Sequence, residues 1–145
     1  MLRFLMRQSV LVVVATALTL ALGGCTSDTT PTATAPSPAT STETFSGTVA
    51  QSGTTGFPFT VANAGTATIG LTTVAPLSTM ALGVGIGTYD GTACGTSISK
   101  NDNARSGATA LTGTATVGNY CVIVYDSGNI PEGWSVSFTV QVVHP

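Results

Sequence analysis

Few side chains in this chain can do acid–base or nucleophilic chemistry. His144, the single histidine, stands next to the carboxyl terminus, and Lys100 is the single lysine. A serine or cysteine nucleophile needs a neighbouring base to take up its proton, and histidine is the most common one. The sequence predicts a frayed terminal position for His144 and a polar loop for Lys100. We therefore predict no catalytic residues and expect that the protein is not an enzyme.

Carboxylates could still form the pair that glycosidases use as acid and nucleophile. All the candidates lie in segments typical of turns, where aspartate accepts hydrogen bonds from backbone N–H groups: Asp90, Asp102, Asp126 and Glu132. Turn capping is therefore the predicted role of these residues.

One segment offers a candidate calcium site. Asn101, Asp102 and Asn103 are consecutive oxygen-bearing residues, and Ca²⁺ prefers several carboxylate and amide oxygens. The same three residues are typical of a plain turn, which is the favoured interpretation. The shortage of histidine argues against a zinc or copper site, so no cofactor is predicted.

Two aromatic residues could take part in binding without catalysis. Tyr89 and Trp134 both flank turn signals, where an exposed ring could stack on a carbohydrate or protein ligand. For Trp134 the favoured alternative is that it extends the inward row beginning at Val136 and covers the edge of the sandwich.

The elements that must position these residues are β-strands, because apolar and polar residues alternate with period two. Gly83, Gly85 and Gly87 take alternate positions in one strand, which predicts close packing over a sheet face rather than a phosphate loop. Short strands at this spacing predict one antiparallel sandwich, Ig-like or jelly-roll-like. The eight predicted strands lie within 44–49, 57–61, 67–71, 82–86, 96–99, 108–113, 120–125 and 135–142.

The amino terminus reads as an export signal. Arg3 and Arg7 precede an apolar run over 10–22, which is too short to cross a membrane as a helix. The tetrapeptide Leu22-Gly23-Gly24-Cys25 that follows resembles the bacterial lipobox. That resemblance implies cleavage before Cys25, lipidation of this cysteine and an extracytoplasmic location. Thr26 follows the cysteine, which implies the outer membrane if the host is Gram-negative.

A linker is predicted after Cys25. Residues 26–42 are mostly Thr, Ser, Pro and Ala without a large apolar side chain, so they cannot bury enough surface to fold. The predicted organisation is a signal peptide over 1–24, a lipidated cysteine with a disordered linker over 25–42, and a domain over 43–145. After cleavage the formal charge is −4, and charged residues make up 7% of the whole chain. No basic patch is present, which argues against nucleic acid as a partner.

Cys94 and Cys121 are the two cysteines that remain for the domain. An even pair in an oxidising compartment usually bonds, so a disulfide is predicted. The alternative is two reduced thiols, for which no histidine is available as an activating base.

Five stretches together resemble the bacterial pre-peptidase C-terminal domain. They follow that family's order: FPFTV at 57–61, GTATIGL at 65–71, the alternating run at 80–89, GNYCVIVY at 118–125 and the closing strand at 134–142. The resemblance implies a jelly-roll-like sandwich that usually accompanies a secreted peptidase. No peptidase precedes it here, so the expected function is a membrane-anchored module that binds an extracellular protein or polysaccharide. The alternatives are an inert envelope component and an accessory domain of a separate hydrolase. The oligomeric state is left open.

Overall fold

The computed structural model describes Ser37 and residues 39–145. The predicted signal peptide, Cys25 and most of the predicted linker lie outside these residues. Within them, no helix is long and apolar enough to cross a membrane.

The described chain forms eight β-strands, each of which overlaps one predicted segment. They are β1 (Ser41–Ala50), β2 (Thr54–Val61), β3 (Gly65–Ala75), β4 (Leu82–Tyr89), β5 (Cys94–Ala104), β6 (Ala108–Ala115), β7 (Gly118–Tyr125) and β8 (Ser135–His144). Every strand extends beyond its predicted segment at one or both ends. The first strand begins at Ser41, inside the predicted linker, and the predicted turn at Asn101–Asn103 is wrong because these residues continue β5.

The strands form two four-stranded sheets with a jelly-roll order. The first sheet has the order β1-β8-β3-β6 and the second β2-β7-β4-β5, and every pair is antiparallel. Apart from the β4–β5 hairpin, each connection crosses from one sheet to the other. This double Greek-key order distinguishes the jelly roll from the Ig-like alternative.

The core lies between the sheets and is built from the alternating apolar residues. In β8 the inward row is Val136, Phe138, Val140 and Val142, each at most 2% exposed. Burying one such side chain contributes about 1.5–3 kcal/mol to folding. The row continues to His144, so the predicted frayed position of this residue is wrong. The first, second, third, fourth and seventh strands supply further buried side chains: Val49, Val61, Ile69, Leu71, Leu82, Val84, Val122 and Val124.

The two long sides of the sandwich, where edge strands of the two sheets face each other, differ in packing. On the closed side, between β1 and β2, aromatic rings fill the space. The rings of Phe45 and Phe57 are stacked with centroids 5.2 Å apart, and Phe57 meets Phe138 edge-on at 6.1 Å. The open side lies between β5 and β6, and these two strands contribute no aromatic ring to it.

Candidate functional site

A surface groove of about 420 Å³ lies at the end of the sandwich where β1 begins and β8 ends. Tyr89, the last residue of β4, forms one wall. Pro58 and Thr60 of β2 and Asn119 of β7 form the floor, and Glu43 of β1 stands at the margin. We call this surface the Tyr89 groove. It combines an aromatic ring with several hydrogen-bonding side chains.

The loop after Tyr89 is fixed by its own hydrogen bonds. The Tyr89 hydroxyl donates to the Gly91 carbonyl at 2.9 Å. Asp90 Oδ1 accepts from the backbone N–H groups of Thr92 and Ala93, both at 2.8 Å. The N–H of Ala93, followed by that of Thr92, lowers the pKa of Asp90 because both bonds favour the carboxylate. The predicted turn-capping role of Asp90 is confirmed.

The predicted disulfide joins the far end of this loop to the sheet. Cys94 and Cys121 are bonded, with their Cα atoms 5.7 Å apart. The Cys94 sulfur lies over Gly56, where a Cβ atom would stand only 2.6 Å away from it. The loop that follows Tyr89 is therefore closed at one end by Asp90 and at the other by a covalent bond, and the Tyr89 hydroxyl is bonded to this loop at Gly91.

Polar groups beside the ring are paired in a way that leaves hydrogen-bonding capacity. Thr60 Oγ1 donates to Asn119 Oδ1 at 3.0 Å, a bond that does not use the amide N–H donors of Asn119. Glu43 Oε1 lies 2.9 Å from His144 Nε2. The Glu43 side chain is 38% exposed and that of His144 only 4%, so the carboxylate is the member of this pair that solvent reaches.

Sequence reasoning missed His144. Its ring packs against Phe59, with centroids 5.3 Å apart. The signal that could have found it is strand parity, because residue 144 has the same parity as the inward row of β8. The His144 ring is packed against Phe59 and bonded to Glu43, which is an environment typical of a structural histidine.

The calcium candidates do not converge on a common point. Asp102 accepts a short hydrogen bond from the Tyr125 hydroxyl and forms an ion pair with Lys100 at 3.1 Å. Asn101 instead donates to the Ala110 carbonyl of the other sheet at 2.9 Å, and Asn103 uses its backbone N–H to bond Asn101 Oδ1. Among the described residues, no three His, Cys, Asp or Glu side chains cluster as metal ligands.

The hydrogen bond between Tyr125 and Asp102 shifts the pKa of each residue. The Tyr125 bond, with the Lys100 ammonium, lowers the pKa of Asp102. Burial, followed by the Asp102 bond, raises the pKa of Tyr125 to about 12. Because Tyr125 belongs to β7 and Asp102 to β5, the bond passes over β4.

The alternating glycines of β4 lie beneath these contacts. The Tyr125 ring occupies the space where a Gly83 side chain would stand. A Cβ at Gly85 would lie 2.7 Å from Ser97 Oγ, and one at Gly87 2.8 Å from the Gly95 carbonyl oxygen. The predicted close packing over a sheet face is confirmed. The glycines let β5 be joined to β7 by two outer links, namely the Cys94–Cys121 disulfide and the Asp102–Tyr125 bond.

The remaining predicted residues lie at the opposite end from the Tyr89 groove. Trp134 is 47% exposed, so the prediction that it covers the sandwich edge is wrong. It precedes β8 in a turn closed by its N–H and the Pro131 carbonyl at 3.1 Å, and Glu132 lies in the same turn. The turn interrupts the strand parity that predicted an inward ring.

Asp126 caps the loop between β7 and β8. Its Oδ2 accepts from the Ser52 N–H at 2.9 Å, and its Oδ1 accepts from the N–H groups of Gly128, Asn129 and Ile130. Burial raises the pKa of Asp126, but the four N–H donors outweigh it and the net pKa is lowered. The predicted turn-capping role is confirmed for Asp126, whereas Asp102 lies inside a strand.

Comparison with known proteins gives no further guide. The chain matches no protein-family profile, and a search of curated proteins finds no similar sequence. The lipobox and pre-peptidase C-terminal resemblances therefore stay predictions.

Proposed function

We propose that this protein is a lipid-anchored envelope component whose jelly roll is a non-catalytic binding module for an uncharged polysaccharide. The observation that carries the binding part is the Tyr89 groove. A ring fixed by a capped loop and a disulfide loses little entropy when a ligand binds, so the site is preorganised.

The composition of the groove favours a sugar chain. Sugar rings have apolar faces that pack on an aromatic ring, and their hydroxyls both donate and accept hydrogen bonds. Tyr89 provides the ring, Asn119 provides N–H donors and Glu43 provides acceptor oxygens. The groove is shallow and open, which suits a polymer better than a small ligand enclosed in a pocket. Its lining includes no basic residue, so an anionic polymer is disfavoured.

A binding experiment tests this part of the proposal. Full-length protein in mild detergent is applied to an array of neutral and anionic polysaccharides. We expect retention on neutral glycans, and Tyr89→Ala should reduce the affinity by about tenfold or more because stacked aromatic area is lost. Trp134→Ala is the matched control, since that exposed ring lies at the opposite end. Loss of binding in Trp134→Ala alone, or retention of no glycan, would reject the groove as a sugar site.

The anchor rests on the motif Leu22-Gly23-Gly24-Cys25 and on the short apolar run before it. The Cys94–Cys121 disulfide supports export, because such bonds persist in oxidising compartments. Two or more acyl chains on Cys25 would give stable attachment to a membrane. Cys25→Ser should abolish incorporation of labelled palmitate, whereas Cys94→Ser should leave it intact. Unchanged labelling of the Cys25→Ser protein would exclude the anchor.

The non-catalytic part is supported by how His144 is used. Its Nε2 is occupied by Glu43 and its side chain is 4% exposed, so it is badly placed to take a proton from a nucleophile. A panel of peptidase and glycosidase substrates should show no turnover. Reproducible activity that disappears in His144→Ala, measured with a check that the variant still folds, would contradict this part.

A further inference from the structure

The open side of the sandwich holds a cleft of about 250 Å³ between β5 and β6. Its walls are mostly apolar and come from Ala67, Ile69, Ile86, Leu111 and Ile98. Ile98 is 63% exposed and lies at the margin of the cleft. Apolar surface left in contact with water forgoes the stabilisation that burial would give.

Small residues on the inner face of β6 create this cleft. Gly113 pairs with Ala67 of β3, so two neighbouring inward positions carry almost no side chain. A Cβ built at Gly113 would meet no heavy atom within 4 Å, and the φ angle there is not in the left-handed region. A larger residue would fit, yet the sequence leaves the space empty.

The backbone edge beside the cleft carries few protecting features over residues 111–115. Edge strands usually carry charges, proline or bulges that prevent pairing with another chain. β2 has Pro58 at its centre, β1 has Glu43, and β5 has Lys100 with Asp102 and three register shifts. β6 reads ATALTGTA, without charge or proline. Its one register shift against β3 leaves Ala110 as an extra residue whose carbonyl accepts from Asn101, and the regular pairing with β3 resumes at Leu111.

We infer that the open side is a homodimer interface in which β6 pairs antiparallel with β6 of a second copy. The twofold axis of an antiparallel strand pair is perpendicular to the sheet. This pairing joins the first sheets of the two copies into one continuous sheet. The second sheet of each copy then lies on the same side of that continuous sheet, and the two clefts face each other. Ile98 of each copy is covered by the other copy, and both exposed edges are used in one contact.

A second copy fits this surface better than a chain of different composition. The pairing strand must be extended, uncharged and small on its inner face, and β6 itself has all three properties. Because β6 has no charge, no like charges meet across the twofold axis. The pairing is isologous and closes after two copies, whereas pairing of β6 with another edge would propagate into a fibre.

The test is the oligomeric state of full-length protein in an excess of mild detergent, measured by sedimentation over a range of protein concentrations. The wild type should form dimers. Gly113→Lys should raise the dimer dissociation constant by about a hundredfold, because a charge aimed into the cleft would be desolvated beside its symmetry mate. Thr44→Lys on β1, an exposed threonine at the other edge of the same sheet, is the control and should leave the dimer intact.

The melting temperature of Gly113→Lys in dilute, monomeric solution should be no lower than that of the wild type, since the position is open and loss of the glycine restricts the unfolded chain. Hydrogen exchange gives a second measurement that needs no variant. Amides of β6 should become protected as the concentration rises, while those of β1 should not change. A wild type that is monomeric at every concentration would overturn the inference, as would a dimer lost in Thr44→Lys and kept in Gly113→Lys.

Discussion

On the closed side of the sandwich, side chains fill the space between the sheets. On the open side, the edge strand β5 is bonded to β7 across the outer face of its sheet, and the space between the sheets is not filled. Phe45, Phe57 and Phe138 bridge β1, β2 and β8 through ring contacts. Across the fold, β5 is joined to β7 by the two outer links, while the space beneath Ile98 and Gly113 stays open.

This difference has an energetic meaning. Filled interiors are close-packed and stabilise the fold through burial and dispersion. The outer links stabilise β5 without placing any atom in the cleft. The fold therefore keeps an apolar surface exposed without loosening the strand that borders it.

The largest expected effect comes from emptying the closed side. Phe138→Ala should lower the free energy of unfolding by about 4 kcal/mol, because a fully buried ring is replaced by a cavity. Leu111→Ala on the open side should cost only about 1 kcal/mol, since Leu111 already borders open space and is only partly buried. Urea unfolding of both variants measures the two values. Equal losses would mean that the two sides are packed alike.

Removing the covalent outer link should come next in size. Cys94→Ala combined with Cys121→Ala should lower stability by about 3 kcal/mol, as expected for a loop closed over a sequence separation of 27 residues. Hydrogen exchange should accelerate in β5 and in the loop before it. The amides of β1 are the internal control, and the ratio of their exchange rates to those of β8 should be the same as in the wild type. Uniform acceleration across the sandwich would show that the disulfide acts on the whole fold rather than on the open side.

Two glycines at inward positions of the edge strands of one sheet allow a smaller, matched test. A Cβ at Gly47 of β1 would lie 3.0 Å from the Phe57 ring and 3.2 Å from the Phe138 ring, whereas one at Gly113 meets nothing within 4 Å. Gly47→Ala should destabilise the protein by about 1 kcal/mol through overpacking. Gly113→Ala should stabilise it by about 0.5–1 kcal/mol by restricting the unfolded chain. Changes of the same sign at both positions would contradict the distinction between the two sides.

Sequence patterns predicted the strands because burial imposes a period of two wherever one face meets the core. The same rule also covers His144, whose parity matches Val136, although a position next to the carboxyl terminus favours fraying. Asn101–Asn103 were predicted as a turn because asparagine and aspartate favour turns. In the fold, pairing with β4 overrides that preference, and a register shift between Leu82 and Val84 accommodates the extra residue.

The two surfaces were only partly predictable. Tyr89 was a candidate because it flanks a turn, but its neighbours Thr60 and Asn119 come from strands distant in sequence. The cleft depends on Gly113 lying opposite Ala67, a pairing that only the strand order reveals. Local sequence contains the pattern of each strand but not which strand becomes its neighbour, and surfaces built from several strands need that information.

The smallest expected effect concerns the second outer link and depends on pH. The pKa of Tyr125 is raised from 10.0 to about 12, so the folded state favours the neutral hydroxyl that donates to Asp102. A group whose pKa is higher in the folded state stabilises the fold below its unfolded pKa and loses that contribution as the pH rises through the folded value. The Tyr125 contribution should thus be complete below pH 10 and decline between pH 10 and about 12.

Tyr125→Phe keeps the ring over Gly83 and removes the hydroxyl, and should melt below the wild type at pH 8. The difference in melting temperature should shrink as the pH approaches 12, because both proteins then lack the bond. A Tyr125→Phe difference that stays constant with pH would mean that the ring, rather than the hydrogen bond to Asp102, holds β5 on the open side.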